Sequence, residues 1–493
     1  MKTKILFSAL LFATNISFAN NVQIGAPTVA VGPSTISFTI QWDNSWNVAS
    51  GPTNWDGVWV FVKRQDCSDN LWNHALVSTL SGDHSITGGI LQVDAVTDGM
   101  GVFIRRTATG LGNIPASTVT LKLQTAPNLA DNFQVFGIEV VNVPQGDFYI
   151  GDGTRGSNTY GFSDGLTCVG GPWNPKLITN AIQTAGLGVA SNYQCNNWGS
   201  TGALPATFPL GWNTFYCMKY EISQEQYSAF LNTLTYDQQV SRTANAPNSA
   251  IGTFGVAGAT PSRNDIKISA SGTINNIPAV YTTTLPNVAC NWLSWSDLIA
   301  YLDWSALRPM TEFEFEKVCR GPVAVTALEM AWGTINLLQA ESGALNNAGL
   351  VNETSTAAGV GLCAYGANTT AKGPLRCGFA ATAATTRTQS GGSYYGAMDM
   401  SGNIAEQCVG GWSYNYSAFT TANGDGNLSA IGAANTANWP PLGGGQSGGG
   451  ISRGSDWFTT TVAYLNVSDR RQMVVNTNQN RNYRYGGRGV RNW

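Results

Sequence analysis

The segment Arg308-Pro309-Met310-Thr311-Glu312-Phe313-Glu314-Phe315-Glu316, closed by Arg320-Gly321-Pro322, carries both ends of a helix in its own letters. Thr311 stands three residues before Glu314, the spacing at which a hydroxyl caps a backbone amide and a carboxylate returns the bond. Gly321-Pro322 is a stop, because proline cannot extend a helix. Glu312, Glu314 and Glu316 crowd the first turns, where negative charge meets the positive end of the helix dipole. Their reading is therefore structural. Upstream, Ser223 with Gln226 opens another helix, whose Tyr227, Phe230, Leu231 and Leu234 share one apolar face. A further helix opens near Ser294, with Asp297 in its first turn and Leu298, Tyr301 and Leu302 inward. Around these three helices, residues 151–211, 236–290 and 410–450 are rich in Gly, Asn, Ser and Thr. They read as long surface loops, which are uncommon unless functional.

Farther upstream the pattern is that of strands. Thr35-Ile36-Ser37-Phe38-Thr39-Ile40-Gln41-Trp42 alternates polar and apolar side chains, the period of a half-buried strand. Val58–Val62, Met100–Ile104 and Thr118–Leu123 are further strand runs, separated by Gly, Asn, Asp and Pro clusters. An all-β sandwich over 20–130 fits this spacing. Both histidines, His74 and His84, fall here without a nearby carboxylate and read as surface or core side chains. Residues 126–132 read as a polar linker. Val140–Gly151 then gives a strand, a turn and a second strand.

Composition narrows the function. The 493 residues include 26 Lys+Arg against 29 Asp+Glu, so a nucleic-acid binder, which needs a basic surplus, is excluded. The 57 Gly and 16 Trp point to a folded, loop-rich body rather than a disordered or long-helical one. Met1-Lys2-Thr3-Lys4, an apolar run from Ile5 to Ala13 and Ser17-Phe18-Ala19 make residues 1–19 a cleaved signal peptide, with export to the periplasm or the exterior. No later run is long enough to span a membrane. Nine cysteines at long, irregular spacings allow some disulfides in an oxidising compartment, and an odd number leaves at least one unpaired within the chain.

Four blocks, in order, resemble the formylglycine-generating enzyme (sulfatase-modifying factor) family. They are Met218-Lys219-Tyr220-Glu221-Ile222-Ser223 running on to Tyr227; Arg308 to Glu316 with Arg320-Gly321; Asp399-Met400-Ser401-Gly402-Asn403-Ile404-Ala405-Glu406; and Arg453-Gly454-Ser455-Asp456-Trp457 with Arg470 and Gly487-Arg488-Gly489-Val490-Arg491. The resemblance covers about 137–493. It implies an α+β class, a C-type-lectin-like formylglycine-generating-enzyme fold with long loops, here preceded by the all-β sandwich.

The family's oxidases hold copper on two cysteines shortly after the fourth block, and thiolates suit a soft ion such as Cu(I). The matching stretch Trp457-Phe458-Thr459-Thr460-Thr461-Val462-Ala463-Tyr464-Leu465 has no cysteine, and none follows Cys408. Residues 85–493 also lack histidine, which removes a two-His iron site and a Ser-His-Asp triad from this region. No catalytic residue is assigned.

The resemblance places a structural Ca²⁺ on Asp399, Gly402, Ile404 and Glu406: carboxylates and carbonyls from a tight glycine-containing loop, the donors calcium takes. Ala405 and Gln407 stand where the family has tryptophans. A second family calcium site would use Asn346 or Asn347 and an Asp just before Gly378-Phe379, where Cys377 stands instead.

Ligand recognition is expected at Trp457, Tyr464, Asn480 and Tyr483, since asparagines at 476, 478, 480 and 482 interleave with arginine and tyrosine. Aromatic faces beside amides and guanidinium groups suit proteins or glycans. The reading is an exported non-catalytic member acting in binding or assembly at the cell envelope or surface, with a protein partner or a surface glycan. Two alternatives remain open: an oxidase with an atypical site, and a carbohydrate-binding lectin-like protein. Oligomeric state is not legible.

Overall fold

The computed structural model describes residues 16–17, 21–154, 161–163, 174–182, 188–189, 205–367, 371–382, 384–410, 419–440, 450–471 and 480–493. The described chain is mostly β, with several sheets and four α-helices. Among the described residues no helix is long and apolar enough to cross a membrane.

Strand Thr35–Asn47 alternates as expected, with Ile36, Phe38, Ile40 and Trp42 buried. It pairs antiparallel with Gly110–Lys122 in a six-stranded sheet that also holds Gln23–Ile24, Thr28–Ala30 and Ser85–Ile86. Ile16–Ser17, inside the segment read as a signal peptide, pairs with Gln23–Ile24 at the sheet's edge.

The second sheet has eight strands. Its path runs Leu91–Ala95, Val102–Arg106, Asp56–Gln65, Asn132–Val143, Phe215–Met218, Gly489–Arg491 and Arg308–Pro309. This order joins the two halves of the chain. Asn132–Val143 pairs along its whole length with Asp56–Gln65 on one side and, at Val140–Val143, with Phe215–Met218 on the other. The stretch read as a linker thus leads into a strand common to both halves. Val58–Val62 is buried without alternation because the sheet is covered on both faces. On one side Phe61 meets Trp304 edge-on at 5.2 Å, and Trp59 Nε1 donates to the Ser305 carbonyl at 2.9 Å.

A buried charge cluster seals the seam. Lys219 Nζ lies 3.0 Å from Glu139 Oε2 and 3.3 Å from Asp56 Oδ2. Asp56 also accepts from Ser45 Oγ at 2.8 Å and the Trp46 amide at 2.8 Å. Burial alone would lower the Lys219 pKa. The charges of Glu139, Tyr220 and Asp56 outweigh it and hold the amine above its ordinary value. Asn54 Nδ2 adds a bond to the Tyr395 carbonyl at 2.9 Å.

The four helices are α1 (Gln224–Leu231), α2 (Tyr236–Arg242), α3 (Trp295–Trp304) and α4 (Glu312–Arg320). All four open on reciprocal capping boxes: Ser223/Gln226, Thr235/Gln238, Ser294/Asp297 and Thr311/Glu314. Helix α2 lies in a region expected to be loop. Its capping pair was visible, but its seven residues are too short and polar for an apolar period. The same region also holds the hairpin Lys267–Ala270/Val280–Thr282.

Candidate functional site

Helix α4 organises the family region, and its three glutamates do more than cap. Glu314 accepts from the Thr311 amide at 2.9 Å and from both Arg308 Nη1 at 2.9 Å and Nη2 at 2.5 Å. Glu312 pairs with Arg453 at 2.9 Å and Arg470 at 2.5 Å. Glu316 pairs with Arg453 at 2.6 Å and Arg320 at 3.2 Å, and accepts from the Gly151 amide at 2.7 Å. Arg320 also pairs with Glu329. All these side chains are buried. Capping accounts for Glu314 only in part. The other two are ion-pair partners of arginines far along the chain, which local spacing does not reveal.

Beside this frame lies the Asp399–Glu406 loop. Asp399 has φ 61° and Gly402 φ 88°. A Cβ on Gly402 would sit 2.3 Å from Cys363 Sγ and 2.6 Å from the Ala364 carbonyl, so only glycine fits. Asp399 Oδ2 accepts from the Gly378 amide at 2.5 Å. Glu406 lies on strand Ala405–Val409, and its Oε1 accepts from Arg488 Nε at 2.6 Å, while its buried Oε2 has no hydrogen-bond partner. A third carboxylate joins them: Glu221 Oε1 accepts from the Ile404 amide at 2.9 Å and Oε2 from Asn403 Nδ2 at 2.6 Å. Glu221 belongs to the first family block, and sequence reasoning gave it no role. Only its contacts across 182 residues show that it shapes this loop.

These three acids are buried, and Arg488 is the guanidinium that pairs with them directly. Burial raises all three pKa values. Asp399 and Glu406 add to the rise at Glu221, burial takes Asp399 to about 6, and Arg488 opposes the rise at Glu406. The loop therefore combines surplus negative charge with an unpartnered carboxylate oxygen. Its donor set of oxygens fits a hard divalent cation. The thiols needed for copper are not there: of the seven described cysteines all are free, and Cys67 alone is exposed. Cys168 and Cys195 lie outside the described residues.

The expected recognition residues separate. Trp457 is 4% exposed and faces inward, its Nε1 donating to the Tyr483 carbonyl at 3.0 Å and its amide to the Asn403 carbonyl at 2.8 Å. Tyr483 is half-buried, with its ring centroid 5.8 Å from that of Trp457. Phe458, which sequence reasoning passed over, is 41% exposed and packs edge-on against both, at 5.4 Å. Trp292 reaches the same group at 5.9 Å from Tyr483, on a φ of 64° that is rare for a bulky side chain. Arg484 pairs with Asp456 at 2.8 Å and lies over Phe458 at 5.8 Å. Asn480 is exposed at the edge. Tyr464 stands apart in the short helix Val462–Leu465, under Arg471 at 4.4 Å. Asn476 and Asn478 lie outside the described residues. The described 419–440 part of the other expected recognition loop is pinned to α3: Asp303 accepts from the amides of Asp425 at 3.0 Å and Asn435 at 2.8 Å.

A profile of the sulfatase-modifying factor enzyme 1-like domain matches residues 194–493, which contain α1 to α4, the acid loop and the aromatic group. The chain belongs to the sulfatase-modifying factor family. No curated protein matches it. Two streptococcal structures are partly similar. One comes from work on pH-induced modulation of Streptococcus parasanguinis adhesion by Fap1 fimbriae, at 17% identity over 32% of this chain and 74% of that one, with a TM-score of 0.14. The other is the group B streptococcus pilus 2b backbone protein, at 13% identity over 41% and 86%, with a TM-score of 0.11. Neither score carries an argument about fold or role.

Proposed function

We propose that this sulfatase-modifying factor family member is exported and non-catalytic, and that it acts in binding or assembly at the bacterial cell envelope or surface. In this reading a C-type-lectin-like body follows an N-terminal β-sandwich and is stabilised by one Ca²⁺ at Asp399, Gly402, Ile404 and Glu406. The observation that carries the reading is the stretch after Arg453. Where the family's enzymes hold copper on thiols, this chain has Trp457 buried and Phe458 exposed, framed by Tyr483 and the Arg484–Asp456 pair. An aromatic surface with a charged rim is a binding chemistry. The partner is a protein or a surface glycan.

The test has two arms. Incubation with a sulfatase-motif cysteine peptide and copper is expected to leave the peptide unchanged by mass spectrometry; formylglycine in the product refutes the non-catalytic reading. Native purification is expected to retain a partner that Phe458→Ala and Tyr483→Ala variants, shown folded by circular dichroism, release. Retention by both variants refutes the proposed face.

A further inference from the structure

The family's second calcium locus would join Asn346 or Asn347 to a carboxylate just before Gly378. The residues of this chain do not fit it. Asn346 and Asn347 are exposed. Cys377 occupies the carboxylate's position, buried, with Sγ 3.6 Å from the Glu221 carbonyl. Burial, reinforced by the Glu221 and Asp399 charges, pushes that thiol well above its ordinary pKa. A neutral thiol is a poor donor to a hard cation.

The two loops are nevertheless tied together, by arginine. The Glu353 carboxylate is buried and accepts from the amides of Gly349 at 2.5 Å and Arg376 at 2.8 Å, and from Arg263 Nη1 at 3.2 Å and Arg263 Nη2. Arg263 Nη1 also donates to the Pro374 carbonyl at 2.8 Å. Arg376 donates to three carbonyls: Glu353 at 2.9 Å, Cys377 at 3.0 Å and Gly378 at 3.0 Å. Backbone carbonyls and a carboxylate are what a calcium ion would gather from such loops. Here guanidinium groups already hold them. Two arginines face the one carboxylate they share, so a dication placed among them would add positive charge to an already cationic, buried site.

We infer that an arginine clamp, Arg263 and Arg376 closed around Glu353, performs the cross-linking that a second calcium ion would perform, and that the chain binds at most one calcium. The single ion rests on the proposed Asp399–Glu406 site; the clamp does not.

The experiment uses the full-length protein, equilibrated with calcium and assayed for bound metal, and melted in calcium or chelator. Glu353→Gln and Arg263→Met are expected to lower the melting temperature equally in both conditions. Arg263→Lys, which keeps the charge but not the two-pronged geometry, is expected to lower it less and serves if the others do not fold. One equivalent of metal, lost in Glu406→Ala and kept in Arg263→Lys, supports both the clamp and the proposed site. Zero equivalents with calcium-independent melting of the clamp variants upholds the clamp and refutes the Asp399–Glu406 site. Two equivalents in the wild type, or calcium restoring the melting temperature of a clamp variant, overturns the clamp.

Discussion

Glu316→Gln tests how the α4 frame is held. Among the described residues, Glu312, Glu316 and Glu329 face Arg320, Arg453 and Arg470, three charges of each sign with no water contact. Glutamine keeps the shape of Glu316 but leaves three guanidinium groups against two carboxylates. An uncompensated buried charge costs about 3–5 kcal/mol, a large part of a typical total stability of roughly 5–15 kcal/mol. Arg453→Met unbalances the cluster in the opposite sense and should cost a similar amount. The double variant leaves two clean pairs, Glu312 with Arg470 at 2.5 Å and Glu329 with Arg320. Its loss should fall short of the summed single losses by about 0.5–3 kcal/mol, the range for coupled contacts. Urea denaturation followed by tryptophan fluorescence measures all three. A single variant losing under about 1 kcal/mol, or strictly additive losses, refutes the claim that charge balance holds this frame.

Deleting residues 20–130 should yield no folded protein, because Asn132–Val143 loses its Asp56–Gln65 partner and Lys219 loses Asp56; a cooperative melt of the truncated chain would contradict this. The intact chain should unfold in one calorimetric transition. His74 is buried with its Nε2 at 2.6 Å from the Met100 carbonyl, and burial, followed by the Lys63 and Arg491 charges, lowers its pKa well below 6.5. The unfolded state therefore binds the proton more readily. Stability is complete above about pH 6.5 and falls below it by up to about 1.4 kcal/mol per pH unit; His74→Gln should flatten that slope. Glu406→Ala should abolish calcium-dependent stabilisation, worth about 2.7 kcal/mol for a site at 100 times its Kd, and equal melting of wild type in calcium and chelator would refute the site.

Three helices, their capping residues and the alternating strand at Thr35–Trp42 were legible because each is a local pattern. So were the four family blocks. The roles of Glu312, Glu316 and Glu221 were not, since their partners lie 137 to 182 residues away and charge alone does not name a partner. Trp457 illustrates the opposite failure. Composition marks it as an anchor, yet the backbone turn at Ser455, with φ 59°, sends its ring inward and leaves Phe458 outside. The linker reading failed for a similar reason. Polarity at 126–132 describes the approach to a strand but not which neighbours the strand will acquire.

The shared strand also has a mechanical consequence. A pull applied between the N-terminal strands and whatever grips the Phe458 face has no hinge to bend. It must pass through the antiparallel ladder of Asp56–Gln65 with Asn132–Val143, ten residue pairs in unbroken register, and then across Phe215–Met218 to the C-terminal strand Gly489–Arg491. Those bonds share the load together, so the body transmits force as a stiff strut rather than as two beads on a tether.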